Sequence, residues 1–191
     1  MATVATKPMT AEEFYEWTHR PENRDRRFEL ERGEIVEMSR PGKQHGLICA
    51  NIAGILWTFA KRRKKGYVCS NDTGVVVERE NDTVRGPDIL FFEDATTAED
   101  VDEKYGETPP LLAVEVLLPN DTLAIMSRRV REQLDFGTKI VWVVNPEDRN
   151  VTVYRRGKEH FVVEESDELT GEDVLPDFRC KVVEFFQLPG A

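Results

Sequence analysis

"LLAVEVLLP", residues 111–119, sets one carboxylate, Glu115, in the middle of an otherwise apolar run. A run of this kind reads as a strand buried on both faces, as inside a layered α/β sheet. Alternation sends Val114 and Val116 to one layer and Ala113, Glu115 and Leu117 to the other. An unpaired ionised carboxylate costs several kcal/mol in such a place. Glu115 therefore faces either a cationic partner or a cleft at the strand end.

The flanking segments extend this strand into a layered fold. "NDTLAIMSRRVREQLDFG" (120–137) reads as a helix with a polar cap at its start and Gly137 as its stop. "KIVWVV" (139–144), "VTVYRR" (151–156) and "HFVVEE" (160–165) read as strands, and the tail "VLPDFRCKVVEFF" is expected to pack back onto the body. Upstream, "TAEEFYEWT" (10–18) carries a capping-box signature, and "RRFELERGEIVEMS" (26–39) alternates around Arg32-Gly33 like a β-hairpin. "HGLICANIAGILWTFAKRRKK" (45–65) repeats Ile48, Ile52, Ile55, Leu56 and Phe59 at helical spacing and ends in cations, as the macrodipole favours. "YVCSNDTGVVVERENDTVRGPDILFFED" (67–94) reads as strand, turn, strand, turn, strand. "DATTAEDVDEKYGETPP" (94–110) reads as an exposed acidic connection. The expected class is α/β (α+β), a mixed sheet flanked by helices with additional β-hairpins, in one domain spanning 1–191 whose residues 1–9 form a flexible start.

Composition narrows the function. The 191 residues carry a formal net charge of −10, which argues against broad electrostatic attachment to nucleic acid or anionic membrane. Only "KRRKK" (61–65) and "SRRVR" (127–131) offer local basic surface, and either run also reads as a solvated helix face. The three cysteines, Cys49, Cys69 and Cys180, share no metal-ligand spacing and read as reduced thiols of a cytoplasmic protein. No apolar stretch is long enough to span a membrane, and the start lacks a secretory pattern. Dinucleotide, P-loop and hydrolase-elbow signatures are all missing.

A second acid repeats the oddity of Glu115. In "RGPDILFF" (85–92), Asp88 follows a proline and begins an apolar strand, where an Asp also serves as an ordinary turn or cap residue. Two carboxylates near one sheet edge repel unless a cation joins them, and Mg²⁺, which prefers oxygen, suits such a pair.

Pro87-Asp88 followed by an acid inside an apolar strand resembles the PD-(D/E)XK nuclease superfamily. The wider set "FELERGEIVEMS", His45-Gly46, "DTGV", "VRGPDILF", "VEVLLPND", "KIVWVVNPEDRNVTVYR" and "DVLPDF" closely resembles its Uma-type restriction-endonuclease branch, from about residue 9 to 186. The resemblance implies a restriction-endonuclease-like core and Mg²⁺-dependent cleavage of DNA phosphodiesters, with Mn²⁺ as a substitute. It implies Asp88 and Glu115 as metal-binding carboxylates, the Val116 carbonyl as an added ligand, and Glu29 and His45 as supporting residues.

Read from the residues alone, His45 is either a core or capping histidine or a proton-moving group, and Glu29 is either solvated, salt-bridged or functional. The superfamily's lysine, two residues after the acid, is Leu117 here, and the resemblance places the corresponding position on the following helix at Arg129. Arginine can hold a phosphate bidentately but cannot act as a base, which leaves that work to water or His45. Arg129 alternatively snorkels beside the Met126–Val130–Leu134 stripe. Leu118 stands where the family has a serine. Three readings follow: a Mg²⁺-dependent endonuclease, a nuclease-fold binding or assembly module without chemistry, and a domain in which Glu115 merely pairs with an arginine. A homodimer would suit cleavage of both strands.

Overall fold

The computed structural model describes residues 8–188 and residue 190. Its elements are α1 (Ala11–Thr18), β1 (Arg27–Glu31), β2 (Glu34–Met38), α2 (Lys43–Arg63), β3 (Tyr67–Ser70), β4 (Val75–Glu78), β5 (Thr83–Arg85) and β6 (Ile89–Phe92). These are followed by β7 (Leu112–Val116), α3 (Leu123–Phe136), β8 (Ile140–Asn145), β9 (Asn150–Tyr154), β10 (Phe161–Val163), β11 (Glu168–Gly171) and β12 (Leu175–Lys181).

The opening stretch forms β7, buried along its whole length near the centre of a six-stranded sheet ordered β10-β9-β8-β7-β6-β3. The sheet is mixed. β7 pairs with β8 in parallel through the α3 crossover, whereas β6 runs antiparallel to β7. The alternation read from the sequence holds. Val114 and Val116 pack with Ile48, Ile52, Leu56 and Phe59 of α2, while Ala113 packs with Met126 and Val130 of α3. Each such aliphatic or aromatic side chain, fully buried, contributes roughly 1.5–3 kcal/mol. No helix among the described residues is long and apolar enough to cross a membrane.

A second sheet, β2-β1-β5-β4, is antiparallel throughout and buries Leu30, Val76 and Val84 against Phe14 of α1. Thr10 caps α1 through a reciprocal pair of bonds with Glu13. The β1–β2 turn places Arg32 at φ 50° and Gly33 at φ 78°, the two left-handed positions that a tight hairpin requires.

Several expectations are corrected. The segment 67–94 holds four strands, not three. β3 and β6 pair in the large sheet, while β4 and β5 join the small one. The chain changes sheets at Asn71 and Asp72, both left-handed (φ 63° and 56°). The connection 94–110 is not wholly exposed, since Tyr105 packs on Phe14 and Gly106 bridges Val75. The tail packs back as expected, with Phe178 and Phe185 against Trp142, but β12 also pairs with β11 in a hairpin that turns at left-handed Glu172 (φ 49°). α2 starts at Lys43, two residues early, with Gly42 extended at its N-cap and no side-chain cap bond. Of the expected flexible start, residues 1–7 lie outside the described residues. Met9 is docked, its N–H donating to the Gly33 carbonyl at 3.0 Å.

Candidate active site

The β6–β7 register aligns Ile89 with Val114 and so brings Asp88, just before β6, beside residues 115–116. Gly86-Pro87 stops the backbone ladder there, and the Asp88 side chain continues it: Oδ2 accepts the Val116 N–H at 2.8 Å. His45, on the buried face of α2, closes the other side. Its Nε2 lies 3.1 Å from the Val116 carbonyl and 3.3 Å from Asp88 Oδ1. Both are acceptors, so Nε2 carries a proton, and Nδ1 faces Cys49 Sγ at 3.4 Å. Burial works against a charged imidazole, but the hydrogen bond and charge of Asp88 outweigh it, and His45 holds its proton above the ordinary range.

Glu115 points the other way, toward α3. It is 6% exposed, and Arg129 Nη1 lies 3.3 Å from its Oε1. The second Arg129 amino group donates to Glu29 Oε2 at 2.6 Å. Glu29 is neither solvated nor peripheral. It is 5% exposed and also accepts from Arg85 Nη1 at 3.0 Å and from the Gly86 N–H at 3.2 Å. Arg85 in turn holds Glu132 at 2.7 Å and Glu31 at 3.3 Å, and Glu31 pairs with Arg128. The result is a ladder of alternating charge from buried Glu115 to half-exposed Arg128, with α3 supplying three of its members. Arg129 is therefore anchored by two carboxylates rather than snorkelling. Burial disfavours its charge, but Glu115 and Glu29 more than restore it, so it stays cationic.

Asp88, Glu115, Val116, His45, Glu29 and Arg129 all line one cleft of about 330 Å³. The two acids open onto the same space, although each side chain is turned to a different partner. Burial is the main influence on Glu115. Arg129 opposes it, and repulsion from Asp88 and Glu29 adds to it, pushing the carboxyl up to about 8. Across the ladder and Asp88, five carboxylates meet three guanidinium groups. The Asp88 and Glu115 carboxyl oxygens, with Val116 beside them on the cleft wall, are the oxygen donors that suit a hard divalent cation.

Sequence reasoning missed Arg85, Glu132 and Cys49. An arginine in the three-residue strand "TVR", all buried, was the available signal for the first. Part of the expected basic surface is engaged: Arg63 and Lys65 share Glu93, Arg62 bonds the Asp177 carbonyl, and Arg128 pairs with Glu31. Cations reach the cleft from elsewhere, at Arg24, Arg26 and Arg27, with Arg26 paired to Glu37 and Arg27 to Asp72.

A family model named Uma2, described as "Putative restriction endonuclease", matches residues 11–183. The chain belongs to the Uma2 family. Its fold is similar to a crystal structure described as "a putative nuclease belonging to DUF820 from Anabaena variabilis ATCC 29413". The TM-score is 0.76 at 18% identity, over 94% of this chain and 98% of that one. At that identity the likeness speaks for the mixed α/β fold alone. Among curated proteins nothing matches the chain. The Uma2 match spans every residue of the cleft wall named above, from Arg24 to Arg129.

Proposed function

We propose that the chain is a Mg²⁺-dependent endonuclease that hydrolyses phosphodiester bonds in DNA on a restriction-endonuclease-like core. The observation that supports this reading is that the Asp88 and Glu115 carboxyl groups and Val116 line one cleft. Asp88, Glu115 and the Val116 carbonyl would hold Mg²⁺, with Mn²⁺ as a substitute. When bound, such an ion would polarise a phosphate and make a water more acidic.

The chain's own residues do the rest. Arg129 cannot serve as a base, and instead offsets charge on the phosphate while keeping Glu29 and Glu115 in place. His45 is a positioning residue here, because its Nε2 proton is committed to Asp88 and the Val116 carbonyl. Glu29 orients Arg129. Leu118 on the rim supplies no hydroxyl. DNA would approach the Arg24–Arg27 mouth, and a two-fold dimer would present two such clefts to a duplex.

Supercoiled plasmid incubated with the chain and Mg²⁺ or Mn²⁺ tests the reading. Nicking or linearisation that disappears in Asp88→Asn supports it, and intact plasmid with both metals refutes it. A second reading, a binding or assembly module without chemistry, is favoured by the Glu115–Arg129 pair, which neutralises one metal-binding carboxylate internally. Metal binding without cleavage is its signature.

A further inference from the structure

A second donor set adjoins the first and differs from it in chemistry. His45 and Cys49 lie four residues apart on α2 and so project from one face. A ring nitrogen of His45, Cys49 Sγ and an Asp88 carboxylate oxygen all lie within 4.8 Å of one another. The contact between His45 Nδ1 and Cys49 Sγ is 3.4 Å. In a tetrahedral zinc shell, a sulfur at about 2.3 Å and a nitrogen at about 2.0–2.1 Å from the ion are separated by about 3.5 Å. The imidazole and the thiol are thus already at ligand spacing. Asp88 Oδ1 lies 3.3 Å from the other ring nitrogen, Nε2, so joining the same ion asks the Asp88 side chain to turn toward the Nδ1–Cys49 side.

These three donors also line another cleft, of about 510 Å³, with Arg27, Arg40 and Asp72 on its walls but neither Glu115 nor Arg129. An ion can therefore reach them without passing the ladder. Sulfur and imidazole select zinc-class ions, whereas Mg²⁺ keeps to oxygen. No other such trio of His, Cys or acidic donors occurs among the described residues.

We propose that His45, Cys49 and Asp88 form a binding site for a zinc-class divalent cation, and that its occupation excludes the hard cation because both sites need Asp88. On binding, the Cys49 S–H bond gives way to a sulfur–metal bond, its proton and any proton on His45 Nδ1 leave to solvent, Nε2 keeps its own, and no oxidation state changes. The exclusion rests on the Mg²⁺ reading above, but the binding does not.

Cobalt(II) titrated into the metal-free full chain is the test. The wild type is expected to bind one Co²⁺ with a thiolate-to-cobalt charge-transfer band that Zn²⁺ bleaches. Cys49→Ser loses the band, while Cys69→Ser and Glu115→Gln keep it. No band in the wild type, or a band that survives Cys49→Ser, overturns the proposal. Zinc is further expected to displace Mn²⁺ from the wild type at a concentration at least tenfold lower than from Cys49→Ser; equal displacement overturns the exclusion. A band in a chain that neither binds Mg²⁺ nor cuts DNA sustains this site and removes the nuclease reading, and cleavage without a band does the reverse.

Discussion

Replacing Glu115 with Gln preserves the shape of the side chain and removes its charge. Burial, opposed by Arg129 and reinforced by Asp88 and Glu29, raises this carboxyl from 4.5 to about 8. A displacement of that size is roughly 4–5 kcal/mol between the two protonation states. The folded chain then holds the proton more tightly than the unfolded chain does. The resulting stability is full below about pH 4.5 and is lost as pH rises through about 8. Gln has no such proton. Between about pH 5 and pH 8.5 the wild type should therefore lose roughly 2–4 kcal/mol relative to Glu115→Gln. Arg129 is not orphaned by the change, because Glu29 holds it at 2.6 Å. Urea unfolding in chelator at the two pH values measures the difference. Adding Mg²⁺ at the higher pH should restore the wild type and leave the variant unmoved. If Glu115→Gln instead costs 3–5 kcal/mol at both pH values, the carboxylate is a structural ion-pair partner and the reasoning fails.

Other perturbations probe the ladder. Arg85→Met, which strips a buried cation from Glu29, Glu31 and Glu132, should cost roughly 3–5 kcal/mol in chemical denaturation, and a cost under about 1 kcal/mol would show that the ladder is not coupled. Arg129→Ala and Glu115→Gln should couple by about 1–3 kcal/mol in a double-mutant cycle, since one guanidinium bridges Glu29 and Glu115; additive costs would contradict the bridge. Thr10→Ala removes the Glu13 N–H acceptor at the start of α1 and should lower stability by about 1 kcal/mol, read by thermal melting, with no loss of Mn²⁺ binding.

Much of the site was legible because it rests on local rules. The apolar run around Glu115 announced a buried strand, and alternation sent Glu115 to the layer opposite Val114 and Val116, which the structure fills with α3. What was not legible depends on tertiary pairing. Turn residues locate the ends of β4 and β5 but not the sheet they join, because both sheets reward the same alternating pattern. Arg85 and Glu132 are unremarkable letters until β5 and α3 meet, 47 residues apart, and Cys49 gains meaning only beside His45 and Asp88. The basic runs show the same limit: Arg63, Lys65, Arg128 and Arg129 meet Glu93, Glu31, Glu29 and Glu115, which lie far away in the sequence.

Manganese binding followed by electron paramagnetic resonance addresses the shared-cation claim at its root. One Mn²⁺ per chain is expected, weakened at least tenfold by Asp88→Asn and by Glu115→Gln alike, and unaffected by Thr10→Ala. Binding that both acid variants leave intact would mean that residues 88 and 115 do not hold an ion between them.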